Sequence, residues 1–141
     1  MVDQVRSRVS AYGLVTRQEH LLLTRLSEAS PVFRPGLWHL PGGGVDPGEQ
    51  PQETLARELH EETGLEVLGS RLVDARGYTA HRLGVRWHLV ALFYRVDVGP
   101  GTPTVTETGG STAEVRWMPR SGLTRSTLSP AAVDGLGMLG R

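Results

Sequence analysis

The chain has 141 residues, 38% of them hydrophobic, and its 15 basic and 15 acidic side chains cancel to a formal net charge of zero. That length suits one domain with a modest core, and the balanced charge gives no ground for a general nucleic-acid or membrane surface. Every basic residue is Arg and cysteine is absent, which excludes disulfides, thiolate zinc sites, a cysteine nucleophile and a Schiff-base lysine.

In chain order, Val5 to Thr16 reads as a strand with Val9, Ala11, Gly13 and Val15 on one face. Gln18-Glu19-His20 is a turn, and Leu21 to Leu26 a second strand. Ser27 to Gly36, with two prolines, is a loop. Trp38 to Leu40 is a short extended piece before three glycines, Gly42, Gly43 and Gly44, which let the backbone turn sharply. Pro51 suits the first turn of a helix, Leu55, Ala56 and Leu59 form its apolar stripe, and Gly64 fits a left-handed cap. The expected helix therefore runs from 51 to 63. Beyond it, Glu66 to Tyr78 reads as a strand or a pair of strands. Arg86 to Val98, apolar on both faces, reads as a central strand. Gly99 to Thr112 is rich in Gly, Pro and Thr and reads as a mobile loop. Ala113 to Met118 is a last strand, and Ser129 to Leu139 a short helix weakened by Gly135 and Gly137. The pattern predicts an α/β fold, a mixed sheet with helices on its faces. No apolar run is long enough for a membrane helix and no secretory signal is read at the start, so the expected location is cytoplasmic.

The chemistry concentrates on the first helix. Glu58, Glu61 and Glu62 fall at helical spacing and share one face. Like charges three or four apart on a helix destabilise it by about 0.2–0.5 kcal/mol per pair, so such a cluster is either solvated or neutralised. Oxygen-only ligands on a rigid helix suit a hard divalent cation, Mg2+ above all where a substrate supplies phosphate oxygens. Arg57 can neutralise a carboxylate on its own turn or reach back to Glu49, and its fork orients a carboxylate better than lysine would. Competing motifs fail on spacing. His60-Glu61-Glu62-Thr63-Gly64 lacks the second histidine of a zinc protease, and the triple glycine has no following Gly-Lys-Ser/Thr.

Gly43, Glu49, Arg57-Glu58-Leu59, Glu61-Glu62 and Gly64-Leu65 stand at the spacing of GX5EX7REUXEEXGU, where U is a bulky aliphatic residue. On every fixed position this segment resembles the Nudix box. The Leu37-Trp38-His39-Leu40-Pro41-Gly42-Gly43 approach and the Trp117-Met118-Pro119 segment with Leu123 also look like the flanks of such a domain. The resemblance implies the Nudix α/β/α sandwich over residues 1–141 and hydrolysis of a nucleoside diphosphate linked to another group. It implies Mg2+, with Mn2+ as an alternative ion, held by Glu58, Glu61, Glu62 and a backbone carbonyl at Gly42 or Gly43. One glutamate must take the proton from water, from the box or from a later loop, where Glu107 and Glu114 are the candidates. Glu49 and Arg57 fit positioning roles. The plainer reading of the later pair is ordinary surface acid.

Specificity is expected outside the box, on loops and early strands. Tyr12, Phe33, Arg34, Trp38, Tyr78 and Trp87 are candidates to stack on a base or clamp a phosphate, with Gly43 and Gly44 beneath the substrate, against a plainer reading as core or surface. Marks of the ADP-ribose, diadenosine polyphosphate and NADH subfamilies are missing. By elimination the chain looks most similar to compact, MutT-like nucleoside triphosphate pyrophosphatases. Nucleotide sugars, dinucleotides or RNA 5′ ends are the alternative substrates, and a non-catalytic nucleotide sensor the alternative class. The expected partner is a small nucleotide, with no membrane, with nucleic acid disfavoured by the neutral charge, and with the chain a monomer or homodimer.

Overall fold

The computed structural model describes residues 4–140. Its first sheet is mixed. β1 (Gln4–Leu14) runs parallel to β7 (Val85–Val98) and antiparallel to β5 (Gly42–Gly44), and β6 (Val67–Arg82) closes the order β5-β1-β7-β6. A second sheet is antiparallel, with β3 (His20–Leu26) between β8 (Thr112–Pro119) and the short β4 (Trp38–His39), and with β2 (Thr16–Arg17) also pairing β3. The sequence pattern anticipates the mixed sheet but not the second one. That sheet joins Leu21, Leu22 and Leu23 to Met118, Trp117 and Arg116, a pairing between distant segments that periodicity cannot reveal.

The first helix, α1 (Pro51–Thr63), has the predicted ends. Glu53 accepts the Gln50 N–H at 2.8 Å at its start. Gly64 ends it at φ 74°, donating its N–H to the His60 carbonyl. Leu55 and Leu59 are fully buried with Ala11, Val15, Leu22, Leu65, Tyr94 and Val96, each leucine worth about 1.5–3 kcal/mol of burial. The opposite face of the mixed sheet carries the larger core, in which Tyr12, Leu14, Leu89 and Phe93 meet Leu40 and the residues of α2 (Pro130–Met138). One helix therefore lies on each face of the mixed sheet, the layering expected from the sequence.

β7 has the central place expected of it, between β1 and β6, and three segments show detail that the sequence pattern does not carry. The region after α1 is one long strand, irregular between Leu72 and Asp74, that continues through a hairpin at Leu83-Gly84 with φ of 50° and 78°. Only the second half of β7 is core; from Val85 to His88 it is partly or largely exposed, since the hairpin extends past the helices. The 99–111 connection is fastened to the end of α1: Thr104 N donates to the Thr63 carbonyl at 2.8 Å, and Thr106 N and Glu107 N donate to the Glu61 carbonyl at 3.0 and 3.1 Å. These bonds use carbonyls a helix end leaves open. No helix among the described residues is long and apolar enough to cross a membrane.

Candidate active site

α1 packs against the glycine strand β5, so two of its carboxylates, those of Glu58 and Glu62, meet backbone. Glu62 is 3% exposed. One of its oxygens accepts the Gly42 N–H at 3.0 Å and the other the Thr112 hydroxyl at 3.3 Å. Gly42 sits at φ 136°, a region open to glycine. Glu58 lies against the next residue: a Cβ on Gly43 would stand 2.7 Å from its carboxylate carbon. The triple glycine thus turns the chain and also leaves room for a carboxylate to press on it.

The electrostatics divide the acids into two kinds. Burial, opposed by the Gly42 N–H and reinforced by the charges of Glu58 and Glu107, pushes the Glu62 carboxyl well above the usual range. Burial likewise raises Glu58, against the pull of Arg57 and with the charges of Glu61 and Glu107 adding to it. Glu49 is the reverse. The Arg57 guanidinium, the Thr54 hydroxyl and the Asp46 N–H hold it down to about 2. Arg57 grips it with two parallel bonds, Nε to Oε2 at 2.8 Å and Nη2 to Oε1 at 2.9 Å. The same guanidinium donates from Nη1 to Glu58 Oε1 at 3.0 Å, stands 3.6 Å from Glu61 and contacts Asp46. Arg57 is therefore a clasp between the loop and the helix face.

Of the two later glutamates, the structure brings one to the cluster. The Glu107 charge reaches both Glu58 and Glu62, and its side chain folds onto Gly110, where a Cβ would stand 2.8 Å from the carboxylate carbon. Glu114 sits on β8 between Arg25 and Arg116 and bonds both. Those bonds, the Arg25 contact first, lower its carboxyl.

A narrow cleft opens beside Glu58, walled by Arg8, Tyr12, Phe33, His39 and Ser111 over Gly42 and Gly43. Tyr12 stands edge-on to His39 at 4.6 Å between ring centroids, and Phe33 lies 5.3 Å from His39. Burial takes the His39 imidazole down to about 3, so it is neutral. Its Nδ1 lies 2.6 Å from the Ser129 hydroxyl. That hydroxyl accepts the Ala132 N–H as the cap of α2, so one side chain both caps the helix and holds the imidazole in place.

Among the other predicted contacts, Gly44 belongs to a wider groove next to this cleft, while Arg34, Trp38 and Tyr78 line neither. Arg34 is exposed. Trp38 packs on the core under the Arg116 guanidinium, 5.5 Å from its ring centroid. The Tyr78 hydroxyl donates to Asp134 at 2.5 Å. Sequence reasoning missed Arg8, Thr112 and Ser129. The two hydroxyls leave no mark in a single sequence. Arg8 left a faint one, an alternation with Ser10 and Tyr12 on β1.

The donor set suits a hard divalent cation: only oxygens, two carboxylates disfavoured as anions where they stand, and a third acid beside them. Among the described residues no group of three His, Cys, Asp or Glu side chains is placed to hold a metal ion by itself. Mg2+ commonly takes part of its shell from water and phosphate.

The comparisons with known proteins agree with this geometry. The NUDIX domain family model matches residues 6–134. Proteins named nucleoside triphosphatase NudI, from Escherichia coli and Salmonella agona, are 41% and 39% identical to the chain over 64 residues. Those matches cover 45% of this chain and 45% of each relative, less than half the length of the curated proteins. The MutT Nudix hydrolase from Burkholderia pseudomallei superposes with a TM-score of 0.76 at 24% identity over 95% of this chain and 98% of that one. The MutT protein from Methanosarcina mazei gives 0.75 at 23% over 97% and 94%. At those identities the two structures establish the fold.

Proposed function

The chain belongs to the Nudix family, and from that premise we propose that it is a single-domain hydrolase that cleaves nucleoside triphosphates to the monophosphate and pyrophosphate. The observation that carries this reading is the grouping of Glu58 and the buried Glu62 under the added charge of Glu107, with Arg57 bonded to Glu58 and no cation bonded to Glu62 among the described residues, beside a cleft that Glu58 lines with Tyr12, Phe33 and His39. A bound divalent ion would neutralise phosphate charge and acidify the attacking water. Glu58, Glu61, Glu62 and a backbone carbonyl at Gly42 are the groups that would hold it. The names of the partly matching relatives favour triphosphates as substrates.

The chain's own residues divide the remaining work. Arg57, locked by Glu49, fixes the direction of the Glu58 carboxylate. Glu62 ties the glycine strand to the start of β8 through Gly42 and Thr112, so the floor and one wall of the cleft move together. Glu107 is the acid best placed to take the proton from water. Glu114 is the poorer base, since its arginine partners hold its carboxyl low. His39 shapes the aromatic wall of the cleft with Tyr12 and Phe33.

The test is product analysis over a panel of nucleotides, nucleotide sugars, dinucleotides and 5′-triphosphate RNA, with Mg2+ and with EDTA. Monophosphate and pyrophosphate from a free triphosphate, only with Mg2+, is the expected outcome. Binding without turnover in any condition would establish a sensor instead, and turnover of RNA ends alone would move the substrate class.

A further inference from the structure

Two openings flank Glu58, and they share only Glu58 and Arg8. The first is the aromatic cleft. The second is the wider groove, walled by Arg6, Arg8, Gly44, Asp46, Glu49 and Trp87 among others. Arg6, Arg8, Ser10 and Tyr12 alternate along β1 and so project from one face of the sheet. Tyr12 ends this stripe in the cleft, and Arg6, paired in register with Trp87, ends it in the groove.

Arg8 is the junction. Its guanidinium packs so close to the glycine strand that a Cβ on Gly44 would lie 2.7 Å from the guanidinium carbon. Among the described residues its one side-chain hydrogen bond is Nε to the Ser10 hydroxyl at 3.3 Å. Among the described residues neither Arg6 nor Arg8 has a carboxylate at ion-pair distance, while Asp46 and Glu49 in the same wall are both held by Arg57. Trp87 adds a buried indole N–H with no acceptor. A guanidinium on a packed wall, its terminal N–H groups free and an acidic cluster across the gap, is arranged for an anion lying between the two.

We propose that Arg8 binds the substrate's phosphates directly, and that the groove it shares with Arg6 takes the terminal phosphates that leave as pyrophosphate. This rests on the hydrolase reading above and sharpens it. A free terminal phosphate carries more charge than an esterified one, so two unpaired guanidiniums select nucleoside triphosphates over nucleoside diphosphates esterified to a sugar or a second nucleoside.

The experiment compares the wild-type protein with R8Q, R8K and R6Q on a nucleoside triphosphate and on the matching nucleoside diphosphate sugar, with inorganic pyrophosphate as inhibitor. Losing one charge-assisted contact costs about 10- to 100-fold. R8Q is expected to lower kcat/KM for the triphosphate by that factor, chiefly through KM, to bring the preference over the diphosphate sugar toward unity, and to weaken pyrophosphate inhibition equally. R8K restores part of the loss, and R6Q shows a smaller effect in the same direction. Equal loss on both substrates, or unchanged pyrophosphate inhibition, overturns the assignment. Should R8Q not fold, R6Q at its exposed position decides by the same comparison. Should the wild type turn over no nucleotide, the hydrolase reading fails by itself. Calorimetric titration of pyrophosphate in EDTA then judges the groove alone: binding lost in R8Q supports it, and identical or absent binding in both proteins refutes it.

Discussion

Glu49 and Glu62 stand at the two ends of one acidic region and live under opposite conditions. Glu49 has a partner for each oxygen and its carboxyl is held down to about 2. Glu62 is buried with two neutral donors and the charges of Glu58 and Glu107 nearby, and its carboxyl is pushed well up. The first arrangement stabilises the fold: its contribution is complete above the ordinary pKa of 4.5 and disappears as pH falls toward about 2. The second costs stability at neutral pH unless a cation is supplied. A carboxylate that the fold does not neutralise marks where the chemistry is, and a neutralised one marks the frame that aims it.

The most severe way to break this contrast is to remove charge from the end where burial raises the carboxyls. E62Q and E58Q are expected to reduce turnover by at least about 10²–10³-fold, the scale of losing one preorganised charged contact. For E62Q melting in EDTA should be unchanged or raised, because a buried charge with no cation partner has gone; a lowered Tm would contradict the contrast. At the clasp the expected pattern is different. R57A should lose about 10- to 100-fold in turnover, as when a group supporting a ligand is removed, and its Tm should fall together with its activity. E49Q should lie between R57A and wild type in both readings.

His39 extends the comparison to the other wall, where a buried polar group does have a partner. Burial takes its folded pKa to about 3, below the ordinary histidine value of 6.5. Between those values the unfolded chain takes up a proton that the folded one refuses, so stability falls as pH drops below about 6.5. Thermal melts from pH 8 to pH 4 should therefore decline more steeply for wild type than for H39Q. S129A is the mildest change. It removes the cap of α2, a loss of about 1 kcal/mol, and the hydrogen bond that holds the His39 ring. A small drop in Tm with a larger change in base preference across the nucleotide panel is the expected signature.

The part of the molecule legible in the sequence is the part that is local in the chain. α1 could be bounded residue by residue because Pro51, the Leu55 and Leu59 stripe and Gly64 are helix signals within one short segment. The grip of Arg57 on Glu49 could be anticipated because both lie in the same box. The second sheet could not, since Leu22 opposite Trp117 joins segments far apart in sequence. The same holds for the site. Thr112 and Ser129 come to Glu62 and His39 from 50 and 90 residues away, and a lone hydroxyl carries no spacing signal. Trp38 and Tyr78 were eligible as stacking groups by type, but Arg116 covers one and Asp134 holds the other. Residue type alone does not say which aromatics remain free.

The central claim is that the crowded acids of α1 hold a divalent ion against a nucleotide's phosphates. Its most direct test is a titration of Mn2+ followed by electron paramagnetic resonance, in the presence of a non-hydrolysable nucleoside triphosphate, on wild type and on the double variant E58Q/E62Q. The account predicts ion binding by the wild type that the double variant loses while keeping its melting transition. Equal binding by the two proteins would contradict it.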